Sequence, residues 1–255
     1  MKTMLRTVCT WVCIALTVPV FAQITDPSTY TAYLGNRDVK TANTLWDNVV
    51  SEKQAAFDKD PNDPALRWNL ALAQYGLLSA TLRTRDEDRF DKYYEKTEEH
   101  LKILGRDDAM KAEAKALLSA VYGLKLAYSS MMGMVLGPKS SSLIGDAMEL
   151  APKSPLVWRI EANSKMYTPE MFGGDMGEAI KAFEKSIELF EEHPATLKNN
   201  WIYLDAHVFL GQAYLQEGQA AKAIAVYEKA LKLEPNLVWI RSELLPKAKQ
   251  KALGK

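Results

Sequence analysis

Two windows of the chain carry the same pattern of apolar and polar positions. EAIKAFEKSIEL (178–189) and KAIAVYEKALKL (222–233) share an alanine, an isoleucine, a Glu-Lys pair and a leucine in register, with Phe183 opposite Tyr227 and Ile187 opposite Leu231. The apolar positions fall at i, i+1, i+4 and i+8, one stripe of an α-helix, and Lys and Glu fill the other face. A looser third copy aligns Ala147, Met148, Leu150 and Pro152 with Ala230, Leu231, Leu233 and Pro235. Proline-bearing clusters at 60–64, 151–155, 192–194 and 234–236 punctuate these runs, and proline cannot continue a helix. The pattern predicts helices over 46–57, 65–82, 89–104, 109–132, 140–150 and 237–253. It also predicts a helix on each side of an inserted loop at 168–175. No segment sustains a period of two, so no sheet is expected.

Residues 204–237 fix the repeat more closely. Leu210-Gly211, Tyr214, Gly218, Ala223, Tyr227, Ala230 and Pro235 fall at the spacings of the tetratricopeptide repeat (TPR), which this stretch resembles. His207 departs from that pattern, standing where the family has a bulky first residue. The other units are degenerate, with Trp158 at the family's tryptophan position in the unit that begins at Pro152. The resemblance implies an all-α, TPR-like solenoid of about four to five helical hairpins with a C-terminal capping helix. A lone hairpin cannot bury its apolar stripe, whereas stacked hairpins form one continuous core. The loop Phe172-Gly173-Gly174-Asp175 is similar to one in exported bacterial TPR proteins.

The amino terminus adds an address. Residues 1–22 have a basic start (Lys2, Arg6), an apolar run from Val8 to Val18, and Val20-Phe21-Ala22 at the end, the pattern of a secretory signal peptide cut after Ala22. The mature chain is then 23–255, periplasmic or extracellular. Cys9 and Cys13 leave with the leader, so disulfide and thiol chemistry leave too. The chain balances 32 Lys+Arg against 32 Asp+Glu without a basic block. That excludes a nucleic-acid binder, which must neutralise phosphates. No later segment is apolar enough to span a membrane.

The candidate chemistry is sparse. His100, His193 and His207 are not grouped with an orienting acid and a nucleophile, so no catalytic residue is assigned and the chain is read as non-enzymatic. No zinc or calcium spacing occurs, and no metal site or cofactor is expected. The stretch 133–140 echoes a phosphate-binding loop, but Pro138 removes a needed N–H. It reads instead as an interhelical turn with Ser140, Ser141 or Ser142 capping the next helix. Met131, Met132, Met134, Met166, Met171 and Met176 suit either adaptable packing or, as an alternative, copper(I).

The TPR resemblance implies that positions two, five, nine and twelve of each first helix line a concave groove that binds a peptide or protein. From Pro64 these are Ala65, Trp68, Leu72 and Tyr75. From Pro155 they are Leu156, Arg159, Asn163 and Met166. From Leu204 they are Asp205, Val208, Gln212 and Leu215. Arg159 and Asn163 resemble part of the carboxylate clamp of chaperone-binding TPR domains, although Phe209 stands where that clamp has a further asparagine. The leading expectation is a protein- or peptide-binding scaffold using Trp68, Leu72, Tyr75, Arg159, Asn163, Met166, Gln212 and Leu215. An alternative is a subunit of an envelope assembly that binds through edges and through Met171, Phe172 and Asp175 of the inserted loop.

Overall fold

The computed structural model describes residues 24–35 and 39–254. The leader assigned to 1–22 lies outside them. All regular structure among the described residues is helical: α1 (Pro27–Gly35), α2 (Val39–Phe57), α3 (Pro64–Thr84), α4 (Glu87–Leu104), α5 (Lys111–Tyr128), α6 (Gly133–Leu150), α7 (Pro155–Tyr167), α8 (Met176–Glu191), α9 (Trp201–Gln216), α10 (Ala220–Leu233) and α11 (Leu245–Ala252). A π-helical turn, Ile240–Leu244, leads into α11.

The proline clusters that end helices also start them. Pro64 and Pro155 occupy first-turn positions, where a missing N–H costs nothing. The residue before each caps the helix: Asp63 accepts from the Ala65 amide at 2.7 Å, and Ser154 accepts from the Val157 amide at 3.4 Å. Asp86, Asp175 and Asn200 cap α4, α8 and α9 in the same way. One boundary differs from the sequence expectation. Pro138 lies inside α6, which already begins at Gly133. As the sixth residue of α6, Pro138 removes one intrahelical bond, and the 3-10 turn Ser130–Met132 leads the chain into the helix. Ser140 therefore caps nothing; its hydroxyl donates to the Ser119 carbonyl at 3.0 Å and ties α6 to α5.

The helices pair as five antiparallel hairpins, α1/α2 to α9/α10, closed by α11. The first helices touch in succession, and α1 returns to touch α9. Composition explains why the inner faces meet. Thirteen of the 16 residues of α9 are buried, and α3 is buried without a break from Leu70 to Leu78. A helix that is apolar all round must be covered on every side. The cover is aromatic: Trp201 packs on Tyr33 (5.5 Å between ring centroids), Trp46 (5.8 Å) and Tyr75 (6.1 Å). Polar contacts fasten the first hairpin across this seam. The Asp26 amide donates to the Asn199 carbonyl at 3.2 Å, and the Tyr30 hydroxyl donates to Glu234 Oε2 at 2.8 Å.

Two glycines allow the close approaches. A Cβ on Gly76 would stand 2.2 Å from the Trp46 ring, and one on Gly211 would stand 2.2 Å from the Tyr227 ring. Gly76→Ala and Gly211→Ala are each expected to lower unfolding free energy by about 1–3 kcal/mol in urea titrations. Gly145→Ala, on an exposed helical face with nothing within 4 Å, is expected to raise it by about 0.5–1 kcal/mol.

Candidate functional site

The inner faces of α3, α7 and α9 place several of the groove residues together. Arg159 of α7 ion-pairs with Asp205 of α9, and its Nη1 donates to the Tyr75 hydroxyl of α3 at 2.5 Å. The guanidinium also lies 5.7 Å from the Phe209 ring centroid. Arg159 is only 3% exposed, and Asp205 and Tyr75 are equally enclosed. Burial alone would lower the arginine's pKa; Asp205 and Tyr75 outweigh it and hold the side chain charged. Burial pushes the Asp205 carboxyl upward, an effect Arg159 partly offsets. The Tyr33 hydroxyl is driven well above its ordinary value by burial and then by Asp205.

Trp68, Leu72, Met166 and Leu215 are also buried, while Asn163 and Gln212 are half-buried. Trp68 Nε1, Arg159 Nε, Asn163 Oδ1, Gln212 Nε2 and Trp201 Nε1 lie in the interior without a protein partner. The concave positions thus line a polar-centred seam that the chain itself fills. Two contributors were not singled out from the sequence, Tyr33 and Trp201. Their contact joins segments far apart in the chain, so local periodicity carries no sign of it.

The inserted loop is built differently. Its backbone is closed by bonds from Gly173 N to Glu170 O (3.0 Å), Gly174 N to Pro169 O (3.2 Å) and Asp175 N to Lys165 O (3.0 Å). Gly173 takes φ 95°, and a Cβ on Gly174 would fall 1.8 Å from the Thr168 carbonyl oxygen, so both glycines are required. Lys165 pairs with Glu178 at 2.6 Å behind the loop. Asp175 serves as the cap of α8, accepting from the Glu178 amide at 2.8 Å. Met171 and Phe172 are left pointing out, 82% and 70% exposed. The turn between α5 and α6 and the first residues of α6 do the same with Met131 and Met134, 92% and 91% exposed. Both turns join a first helix to its second helix in successive hairpins, so both lie along the same edge of the solenoid.

The histidines sit apart. His100 is half-buried beside Arg67 Nη1 (3.1 Å) and against the Phe57 ring. His207 is buried under α8 and α10, its Nδ1 2.9 Å from the Tyr203 carbonyl. No group of three or more His, Cys, Asp or Glu among the described residues could hold a metal ion. No helix among them is long and apolar enough to cross a membrane.

The tetratricopeptide-repeat family profile matches residues 204–237, which are α9, its turn, α10 and the start of the cap. Among solved structures, the HusA haemophore from Porphyromonas gingivalis is similar at 20% identity and a TM-score of 0.51, over 73% of this chain and 94% of that one. A thermophilic TPR protein from Thermus thermophilus matches at 18% identity and a TM-score of 0.49, over 84% and 91%. No curated protein matches the sequence. Residues 204–237 match the tetratricopeptide repeat, and the described residues fold as an all-α, TPR-like helical solenoid.

Two measurements check this interior. Arg159→Met leaves the Asp205 carboxylate buried and uncompensated, and about 3–5 kcal/mol of stability should be lost. Adding Asp205→Leu to the same chain should restore most of it, read as the coupling in a double-mutant cycle. The second concerns pH. Burial lowers the His207 pKa to about 4, so below its usual 6.5 the unfolded chain takes up a proton that the folded chain refuses. Stability contributed at neutral pH is therefore lost as pH falls from about 6.5 to about 4, on the order of 3 kcal/mol, and levels off below. In His207→Phe that part of the slope should vanish from urea midpoints measured at pH 7 and 4.5. Shared contributions, such as that of Asp26 (pKa about 2), cancel between the two proteins.

Proposed function

We propose that this chain is an exported, non-enzymatic scaffold that takes hold of a protein partner along one edge of its solenoid. The leader at 1–22 would be cut after Ala22, and the mature chain would begin at Gln23. The observation that carries the reading is the rigid inserted loop. A loop fastened by three backbone bonds and two obligatory glycines has no need to expose Met171 and Phe172 for its own sake. Holding a large apolar pair in solvent, already in place, is how a binding surface avoids the entropy cost of ordering itself. Met131, Met134 and Tyr167 extend the surface with adaptable thioethers and a ring.

A second reading uses the concave positions. Its support is the set of interior polar atoms without partners, which a displaced α1 would offer to a peptide together with Trp68, Leu72, Tyr75, Arg159, Asn163, Met166, Gln212 and Leu215. A small-ligand reading keeps the exposed methionines, for copper(I) or for the kind of ligand the HusA neighbour's description names, a haem.

One experiment separates the three. Residues 23–255, immobilised and exposed to extract of the native cell envelope, should retain a protein that the Met171→Ser, Phe172→Ser double variant does not. Retention by both, with loss of hydrogen-exchange protection over 24–35 when the partner is added, would move the interface to the concave side. If nothing is retained, and copper(I) or haemin binds wild type but not a Met131→Ser, Met134→Ser variant, the scaffold reading falls.

A further inference from the structure

His207 stands where the TPR pattern places a bulky residue. Beside it a cleft of about 420 Å³ opens between α8 and α10, on the outer face of the solenoid. Ile187, Leu210 and Val226 line it with carbon. Around it stand Glu184, Glu188 and Glu191 of α8 and Glu192 just past its end, against a single lining ammonium, Lys229, which pairs with Glu191 at 2.5 Å.

The imidazole has a defined polarity. A carbonyl oxygen only accepts, so the Nδ1 facing Tyr203 O carries the hydrogen and Nε2 carries the bare lone pair. That Nε2 is buried and meets no donor, on a side chain only 1% exposed. The charges acting on the ring are Lys229 and Glu191, both in the cleft lining. With burial holding the ring neutral at pH 7, Nε2 is a standing acceptor. A buried acceptor without a partner is destabilising, and a donor entering the cleft would relieve it.

We infer that this cleft seats an arginine from a basic, amphipathic peptide segment of a partner protein. The aliphatic stem lies on Ile187, Leu210 and Val226, the guanidinium donates to His207 Nε2 and shares the Glu191 carboxylate with its present partners, Lys229 and the Tyr203 hydroxyl, and flanking cations pair with Glu188 and Glu192 at the rim. Arginine fits because its planar head donates in several directions while its stem remains apolar. The carboxylate excess of the lining selects against acidic segments. The inference goes beyond the edge reading and does not depend on it.

The test uses a fluorescein-labelled twelve-residue peptide of leucine and arginine, with a leucine and glutamate counterpart as control, against residues 23–255 by fluorescence anisotropy at two salt concentrations. Wild type should bind the arginine peptide and not the glutamate one. His207→Trp puts a larger ring against the cleft and removes the Nε2 acceptor, so affinity should fall at least tenfold in a protein shown to be folded by circular dichroism. Glu188→Lys with Glu192→Lys changes two exposed rim residues, leaves the fold alone, and should weaken binding to a similar degree. Met171→Ser with Phe172→Ser should change nothing, which keeps this result separate from the edge experiment. Unaltered affinity in the folded His207→Trp protein would overturn the assignment. So would failure of wild type to bind at low salt, or equal binding of both peptides.

Discussion

The structure depends on one constraint: α3 and α9 have no polar face to give to water. In an ordinary helical-repeat array the first helices show one side to the next hairpin and leave the other in an open groove. Here that other side carries Trp68, Leu72 and Tyr75 on α3, and Trp201, Val208 and Leu215 on α9. Leaving such a surface wet would forfeit about 25 cal/mol for each Å² of carbon. The array therefore bends until its inner faces meet, and Trp201 becomes the point on which Tyr33, Trp46 and Tyr75 converge.

That closure brings charge into the interior, which a hydrophobic account alone does not predict. Arg159 and Asp205 neutralise one another, and Tyr75 satisfies one more guanidinium N–H. A buried pair of this kind adds little net stability over two well-packed apolar residues, but it tolerates few alternative arrangements. It specifies which faces of α3, α7 and α9 meet. The unpartnered atoms around it, such as Arg159 Nε and Asn163 Oδ1, show the compromise: packing set the geometry and hydrogen bonding followed where it could.

What was legible in the sequence was local. The stripes of α8 and α10, the Pro-preceded caps at Asp63 and Ser154, and the inserted loop follow from spacing and side-chain chemistry within a few residues. Pro138 suggests a break between α5 and α6, yet α6 begins at Gly133 and carries the proline inside it, where packing against α5 outweighs the lost backbone bond. The fate of the concave positions was not legible, since Tyr33 and Trp201 meet only through the whole stack. A hint existed all the same: LALAQYGLL in α3 and the run from Trp201 to Leu210 in α9 lack the polar side of a groove-lining helix. His207 departs from the repeat, but a one-dimensional pattern cannot show that its Nε2 lies without a partner beside a cleft.

The contact between α1 and α9 changes how the chain can fold. Repeat arrays usually behave as one-dimensional stacks, in which each unit feels only its neighbours and unfolding can start at either end. Joining the first hairpin to the fifth removes the free end. Tyr33 and Trp201 raise the contact order of a fold otherwise made of local pairings, and slow, all-or-none assembly follows. During synthesis the first hairpin emerges long before the surface it needs. Until α9 arrives, Ile24 and Tyr33 have no place to bury, and a chain stalled halfway offers chaperones and proteases a handle that the finished molecule conceals.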